Sequence, residues 1–362
     1  MCNMMARYHN MREFIYDQAA SRVVFGTGTV KCLADEVKRL GAGPAIILST
    51  PEQRTSAEAA ARQLGQLAAG VFAEAVMHVP IETARKARET AARLNAGCCV
   101  AIGGGSTIGL GKAIALESGL PILAVPTTYA GSEMTPIWGL TEDGVKKTGR
   151  DRKVLPKTVI YDPELTLTLP PGIAGPSGMN AIAHCVEGLY AHDGNPIISL
   201  FAAEGIRALA RSLPVVVREP ENIAARSDAL YGAWLAGTVL GAVGMGIHHK
   251  LCHTLGGTFN LPHAEVHTVI LPHAIAFNRE AAPQAMRIVA DALGVEDAAR
   301  GIYDLAAAVG APLALKDIGM PEYGLARAAD LATRNPYPNP RPVEYAGVLD
   351  LLRKAYAGVR PE

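Results

Sequence analysis

"CCVAIGGGSTIGLGKAIAL", residues 98–116, decides the fold. An apolar run comes first, three glycines follow, and the sequence then resumes with helical spacing. This is the pattern of a buried strand turning tightly into a helix N-terminus. Gly103, Gly104 and Gly105, followed by Ser106 and Thr107, leave backbone N–H groups open, and the helix dipole favours an anion beside them. In an open α/β sheet a nucleotide is expected at this carboxyl end of a strand. The spacing is not G-x-G-x-x-G, because Ile108 stands where the third glycine belongs, so a plain tight turn remains the alternative.

Outward from this turn the same alternation repeats. "RVVFGTG", "PAIILST", "GVFAEAVMHV" and "PILAVPTT" read as strands. "TVKCLADEVKRLGAG", "SAEAAARQLGQLAAG" and "IETARKARETAARLNAG" read as the helices between them. Strands alternating with helices of this length predict a parallel sheet covered on both faces. Past Pro170 and Pro171 the texture changes. "SGMNAIAHCVEGLYAHD", "NPIISLFAAEGIRALARSL", "ARSDALYGAWLAGTVLGA" and "QAMRIVADALG" are all helical, and "TRNPYPNPRPVEY" is a proline-rich loop before a last helix. The expected organisation is an α/β, Rossmann-like dinucleotide-binding domain over residues 1–170 and an all-α substrate domain over 171–362. Two domains also suit 362 residues at about 150 per domain.

Lys+Arg 34 balance Asp+Glu 34. A formal charge of zero offers no global field to nucleic acid or an anionic membrane, so neither is an expected partner, and it does little to oppose self-association. The six cysteines contain no CxxC pair and read as free thiols of a cytoplasmic protein. The first ten residues read as a leader without a signal peptide's apolar stretch, and no run reaches the roughly 18 apolar residues of a membrane span.

"VPTTYAGSEMT" follows the strand after the glycine turn and offers Thr127, Thr128, Ser132 and Thr135 as hydroxyl donors to a diphosphate or ribose. The bland alternative is that they cap a turn. The second strand ends in Ser49 and Thr50, with no acid before Glu52, so discrimination between NAD and NADP is expected to be weak.

Six of the ten histidines fall in "GIHHKLCHTLGGTFNLPHAEVHTVILPH", residues 246–273. His249 and His253 are four apart on one helical face, as are Asn180 and His184 in the helix upstream, and His263 follows a Gly-Gly turn and Pro262. Convergence of such groups from two elements is what a metal site requires. His248, His267 and His273 read as structural or surface residues, and His9, His78 and His192 as isolated ones.

"GGGST", "VPTTYAGSEMT", "SGMNAIAHCVEGLYA" and the histidine run, in that order, resemble the iron-containing (group III) alcohol dehydrogenases over nearly the whole chain. The resemblance implies a dehydroquinate synthase-like fold with its active site in a cleft between the two domains. It places the family's metal ligands on Asn180, His184, His249 and His263 and its catalytic histidine on His253, and Lys147 joins the expected cofactor-binding residues. The family usually has aspartate where Asn180 stands. A neutral amide weakens a divalent site, so the expectation is a vestigial site without a tightly bound Fe or Zn ion. "HHKLCHTLGGTFNLPHAE" and "NPYPNPRP" point, within the family, to members that reduce the C=C bond of an enone dicarboxylate, with NADH and also NADPH, in bacterial degradation of aromatic compounds. His253 would donate the proton, and His184, His249 and His263 would hold the enolate oxygen or a carboxylate. Arg334, Arg341, Lys147 and Lys250 are candidate partners for substrate carboxylates. A homodimer is expected. The alternatives are a metal-dependent alcohol or polyol dehydrogenase and a dehydroquinate synthase-like lyase.

Overall fold

The computed structural model describes residues 21–362 apart from Gly144, together with Phe14 and Tyr16. The expected leader, Cys2 and His9 lie outside the described residues. Strands β1 (Arg22–Phe25), β2 (Ala45–Leu48), β3 (Ala68–Phe72), β4 (Cys98–Gly103), β5 (Ile122–Pro126) and β8 (Thr158–Tyr161) form one sheet in the order β1-β8-β5-β4-β2-β3. Every pairing is parallel. The central strands β2, β4, β5 and β8 are buried along their whole length, as their unbroken apolar runs require. Helices α1 (Leu33–Leu40), α2 (Arg54–Leu64), α3 (Ile81–Arg93) and α4 (Gly105–Ser118) connect the strands. Without β1 the order is that of a doubly wound flavodoxin-like sheet, whose chain reverses direction between β2 and β4. The segments after these two strands, at Thr50 and at residues 103–107, therefore flank the crevice where such sheets bind nucleotides.

Two features differ from the expectation. The third strand starts at Ala68 and ends at Phe72 instead of spanning residues 70–79. Gly65 closes α2, and pairing of Ala68 with Ala45 overrides the helical propensity of the alanines. A two-stranded antiparallel hairpin, β6 (Ile137–Glu142) and β7 (Val145–Arg150), stands outside the main sheet. β7 is almost wholly exposed and polar, so no apolar run announces it.

From Pro171 the described chain is helical: α5 (Pro171–Leu189), α6 (Pro196–Arg218), α7 (Ile223–Ala242), α8 (Ile247–Phe259), α9 (His263–Asn278), α10 (Pro283–Leu293), α11 (Ala298–Ala308), α12 (Leu325–Thr333) and α13 (Tyr345–Ala357). α5 is buried from Ala174 to Gly188 and is the core helix of this half. Among the described residues no single helix is long and apolar enough to cross a membrane. α7 and α8 pass that test only as a pair bent by 95°.

Candidate active site

The glycine turn is shaped by close contacts. Gly103 has φ 152, and a Cβ there would lie 2.5 Å from Thr107 Oγ1 and 2.7 Å from Gln53 Oε1. Only glycine fits this position without displacing both. Gly104 packs on Thr128, and the exposed Gly105 and half-buried Ser106 open α4. Thr127 is held by Gln53, whose Nε2 donates to its hydroxyl at 2.9 Å. Gln53 had no signal in the sequence. Thr135 departs from the expectation: its buried hydroxyl accepts from Lys112 Nζ at 2.9 Å and is turned into the protein. Thr50 sits at the end of β2, where its hydroxyl binds Glu52.

Lys147 also departs. Its ammonium pairs with Glu142 at 2.6 Å on the surface. Its neighbour Lys146 takes the opposite face of β7, opposite Thr141, whose hydroxyl donates to His78 O at 2.8 Å. Lys146 is turned towards the histidines, and its charge acts on His253, His263 and His78. His78, which read as isolated, therefore lies at the cleft. Two consecutive left-handed residues, His78 (φ 66) and Val79 (φ 46), hold it there. Such a conformation is rare for a β-branched residue, and strain of this kind concentrates at functional sites.

The opposing wall is made by three helices. Asn180, His184 and Glu187 share one face of α5, at spacings of four and three. α8 carries His249 and His253, and α9 opens on His263. Glu187, fully buried, organises this wall and was missed in the sequence, although it lies inside the quoted motif. Its carboxylate accepts from the backbone N–H groups of His248 (2.9 Å) and His249 (3.2 Å), capping α8. The same carboxylate meets His249 Nδ1 at 2.6 Å, which fixes that ring and leaves Nε2 buried without a partner. Asn339, in the proline-rich loop, accepts from Ile247 N at 3.2 Å and completes the cap. The loop thus supports the helix of His249.

The rings stand close: His184 to His249 5.1 Å, His249 to His253 6.0 Å and His253 to His263 6.5 Å between centroids. Asn180 Oδ1 and His184 Nδ1 are also buried and unpartnered. Polar atoms buried in this way need a partner: His184 Nδ1, when it carries the proton, can donate to a substrate oxygen, whereas Asn180 Oδ1 accepts and needs a donor. His253 and His263 are solvent-accessible, yet the protein packed around them desolvates their rings. Burial first, and then the neighbouring His249 ring, pushes His253 down to about 3. Burial and Lys146 push His263 down to about 4. Burial, reinforced by the other rings, holds His184 well below the usual imidazole range. His184, His253 and His263 are therefore neutral near pH 7, with the charge of Lys146 beside them, and an entering anion raises their proton affinity. Behind them His248 Nε2 meets His267 Nδ1 at 2.9 Å, a buried pair joining α8 to α9.

The chain matches the iron-containing alcohol dehydrogenase family over residues 20–163 and that family's C-terminal region over 175–356. The chain belongs to this family. It is 62% identical to maleylacetate reductase of Burkholderia cepacia across 97% of this chain and 100% of that one, and 58% identical to the Sphingobium indicum maleylacetate reductase across 96% and 99%. A solved maleylacetate reductase from Agrobacterium tumefaciens superposes with a TM-score of 0.95 at 54% identity, covering 97% of this chain and 100% of that one.

The family implies a metal held by the residues at 180, 184, 249 and 263. The residues present do not fit such an ion well. Asn180 contributes a neutral amide, so the set has no anionic donor. The three His, Cys, Asp or Glu donors that lie within 4.8 Å of one another, among the described residues, are instead His248, Cys252 and His267.

The cationic candidates are dispersed. Arg334 is paired with Asp330, Arg341 stacks on Phe277, and Lys250 lies over the Tyr337 ring. Of the residues expected from the sequence, the structure brings His184, His249, His253 and His263 together with Asn180. It keeps Lys147, Arg334 and Arg341 out of this cluster.

Proposed function

We infer that this chain is a maleylacetate reductase, reducing the C=C bond of maleylacetate to 3-oxoadipate with NADH or NADPH. One observation carries the reading: a cluster of imidazoles with an amide at position 180 and buried ring atoms without partners, in a chain 62% identical end to end to a maleylacetate reductase. The β2–β4 crevice would hold the cofactor, with the α4 N-terminus receiving its diphosphate, and both NADH and NADPH are accepted. Residues 1–170 serve as the nucleotide domain and 171–362 as the catalytic one.

Hydride from the reduced nicotinamide adds to the alkene carbon β to the ketone. The C=C electrons move towards the carbonyl, and charge collects on the ketone oxygen as an enolate. That oxygen needs a donor. His249 supplies it from Nε2 in its doubly protonated form, whose Nδ1–H donates to Glu187. Reketonisation takes a proton at the α carbon, and His253 donates it once the substrate's two carboxylates and the enolate have raised its proton affinity. His184, His263 and Lys146 hold the remaining charge. No step requires a metal, and the enzyme works without one. An alcohol oxidation would have to stabilise an alkoxide, for which a bound metal helps more. A homodimer is part of this proposal: among the described residues β1 pairs only with β8 and ends the sheet on that side.

The test is product stoichiometry. One NADH should be consumed per maleylacetate, with 3-oxoadipate as the product. NADH oxidation only with aldehydes, or phosphate release from a sugar-acid phosphate, would replace this reading with a dehydrogenase or a lyase.

A further inference from the structure

Among the described residues of the cofactor half, Lys112 is the largest fully buried charged side chain, and it has no part in the chemistry above. It lies on α4, about two turns past Gly105, and is 1% exposed. Its Nζ donates to Ser132 O at 2.6 Å, Thr135 Oγ1 at 2.9 Å and Ile137 O at 2.7 Å. Three acceptors use all three N–H groups of an ammonium, whereas a neutral amine would face one of them with a lone pair. Burial pulls Lys112 down to about 7, and the charge of Glu133 opposes that shift; Glu133 is itself fully buried, and its Oε1 accepts from Tyr161 on β8 at 2.8 Å. One cation thus binds both ends of the loop at residues 131–137 to the helix whose N-terminus forms the phosphate turn.

The loop's other side is wedged against α7. A Cβ at Gly237 would lie 2.8 Å from Gly131 O, and one at Gly241 would lie 2.5 Å from Met134 O. Gly131 itself has φ 77, and a Cβ there would reach within 3.6 Å of His184 Nδ1. The loop is therefore the rigid link between the nucleotide turn and the histidine wall, with no slack on either side.

We propose that Lys112 is a positioning residue: it clamps the 131–137 loop so that the nucleotide held by α4 stays in register with His184 and its neighbouring rings. The clamp rests on the reading of the cleft as an NAD(P)H-dependent reductase. It does not touch substrate, so it acts on cofactor binding and on alignment while leaving substrate affinity alone.

Lys112→Met, Thr135→Val and Gly237→Ala in the full-length enzyme test this by NADH fluorescence titration and steady-state kinetics. Thr135→Val keeps the side chain's shape and removes one acceptor. Gly237→Ala pushes the loop with no change of charge. Lys112→Met should raise the Kd for NADH about tenfold or more, the scale of losing a charge-assisted hydrogen bond at a buried site. The other two should raise it about threefold and lower kcat, with the KM for maleylacetate within about twofold of the parent. Variants that only melt earlier, with parental NADH Kd and kcat in the folded fraction, overturn the clamp. If Lys112→Met does not fold, the other two decide in the same way. A parent enzyme that binds NADH but does not reduce maleylacetate sinks the reductase reading, and the NADH titrations still judge the clamp.

Discussion

The two walls of the cleft solve opposite problems. The glycine turn presents backbone: N–H groups at the α4 N-terminus, no charged side chain, and a shape set by what a Cβ would strike. The histidine wall presents side chains: four imidazoles, that of His249 held by a buried carboxylate, with ring atoms of His184 and His249 left unpartnered. A site that must hold the same diphosphate every turnover can be rigid and built from backbone. A site that must take up and release charge needs groups whose protonation can change. The difference predicts that the turn fails when atoms are added and the wall when atoms are removed.

The largest effect separates them most cleanly. His253→Ala should lower kcat about 100-fold or more with the Kd for NADH unchanged, measured by stopped-flow reduction and fluorescence titration on the same preparation. A parental kcat would remove His253 from proton transfer. Next, Gly103→Ala should raise the Kd for NADH about tenfold, because the new methyl meets Thr107 and Gln53 and the backbone at φ 152 resists any side chain. Unchanged binding would mean that the turn does not carry the phosphates.

The smallest effect concerns stability. His273, 4% exposed, is pushed by burial, and then by Lys354, from 6.5 down to about 4. The unfolded chain binds this proton below 6.5, whereas the folded one does so only near 4. Stability is therefore complete above 6.5 and is lost as pH falls through that window, by roughly 3 kcal/mol at most. Denaturant midpoints across this range should be flatter for His273→Leu than for the parent. Equal slopes would show that His273 is not the acid-sensitive group.

What was legible in the sequence follows from how local each signal is. The glycine turn, the helix periods and the i, i+4 pairs Asn180/His184 and His249/His253 depend on neighbours along the chain, and the structure places them as read. Glu187 was hidden because a lone acid in an apolar helix acquires meaning only when α8 arrives to be capped by it. Gln53, His78 and Lys112 likewise act through partners far along the chain. Lys146 and Lys147 show a different limit: alternate residues of a strand face opposite ways, so an error of one position selects the wrong lysine. β7, with its polar surface, gave no apolar pattern from which to fix that parity. The amide at Asn180 was readable from one letter, and it bears on the chemistry more than any distance does.

The central claim is that imidazoles, without a bound ion, carry the charge of the reaction. Turnover of maleylacetate by chelator-treated enzyme, with the metal content of the same sample measured by mass spectrometry, tests it directly. The account predicts a parental kcat at less than about one-tenth of a metal atom per chain. Activity that vanishes with the metal and returns in proportion to added Fe²⁺ or Zn²⁺ would contradict it.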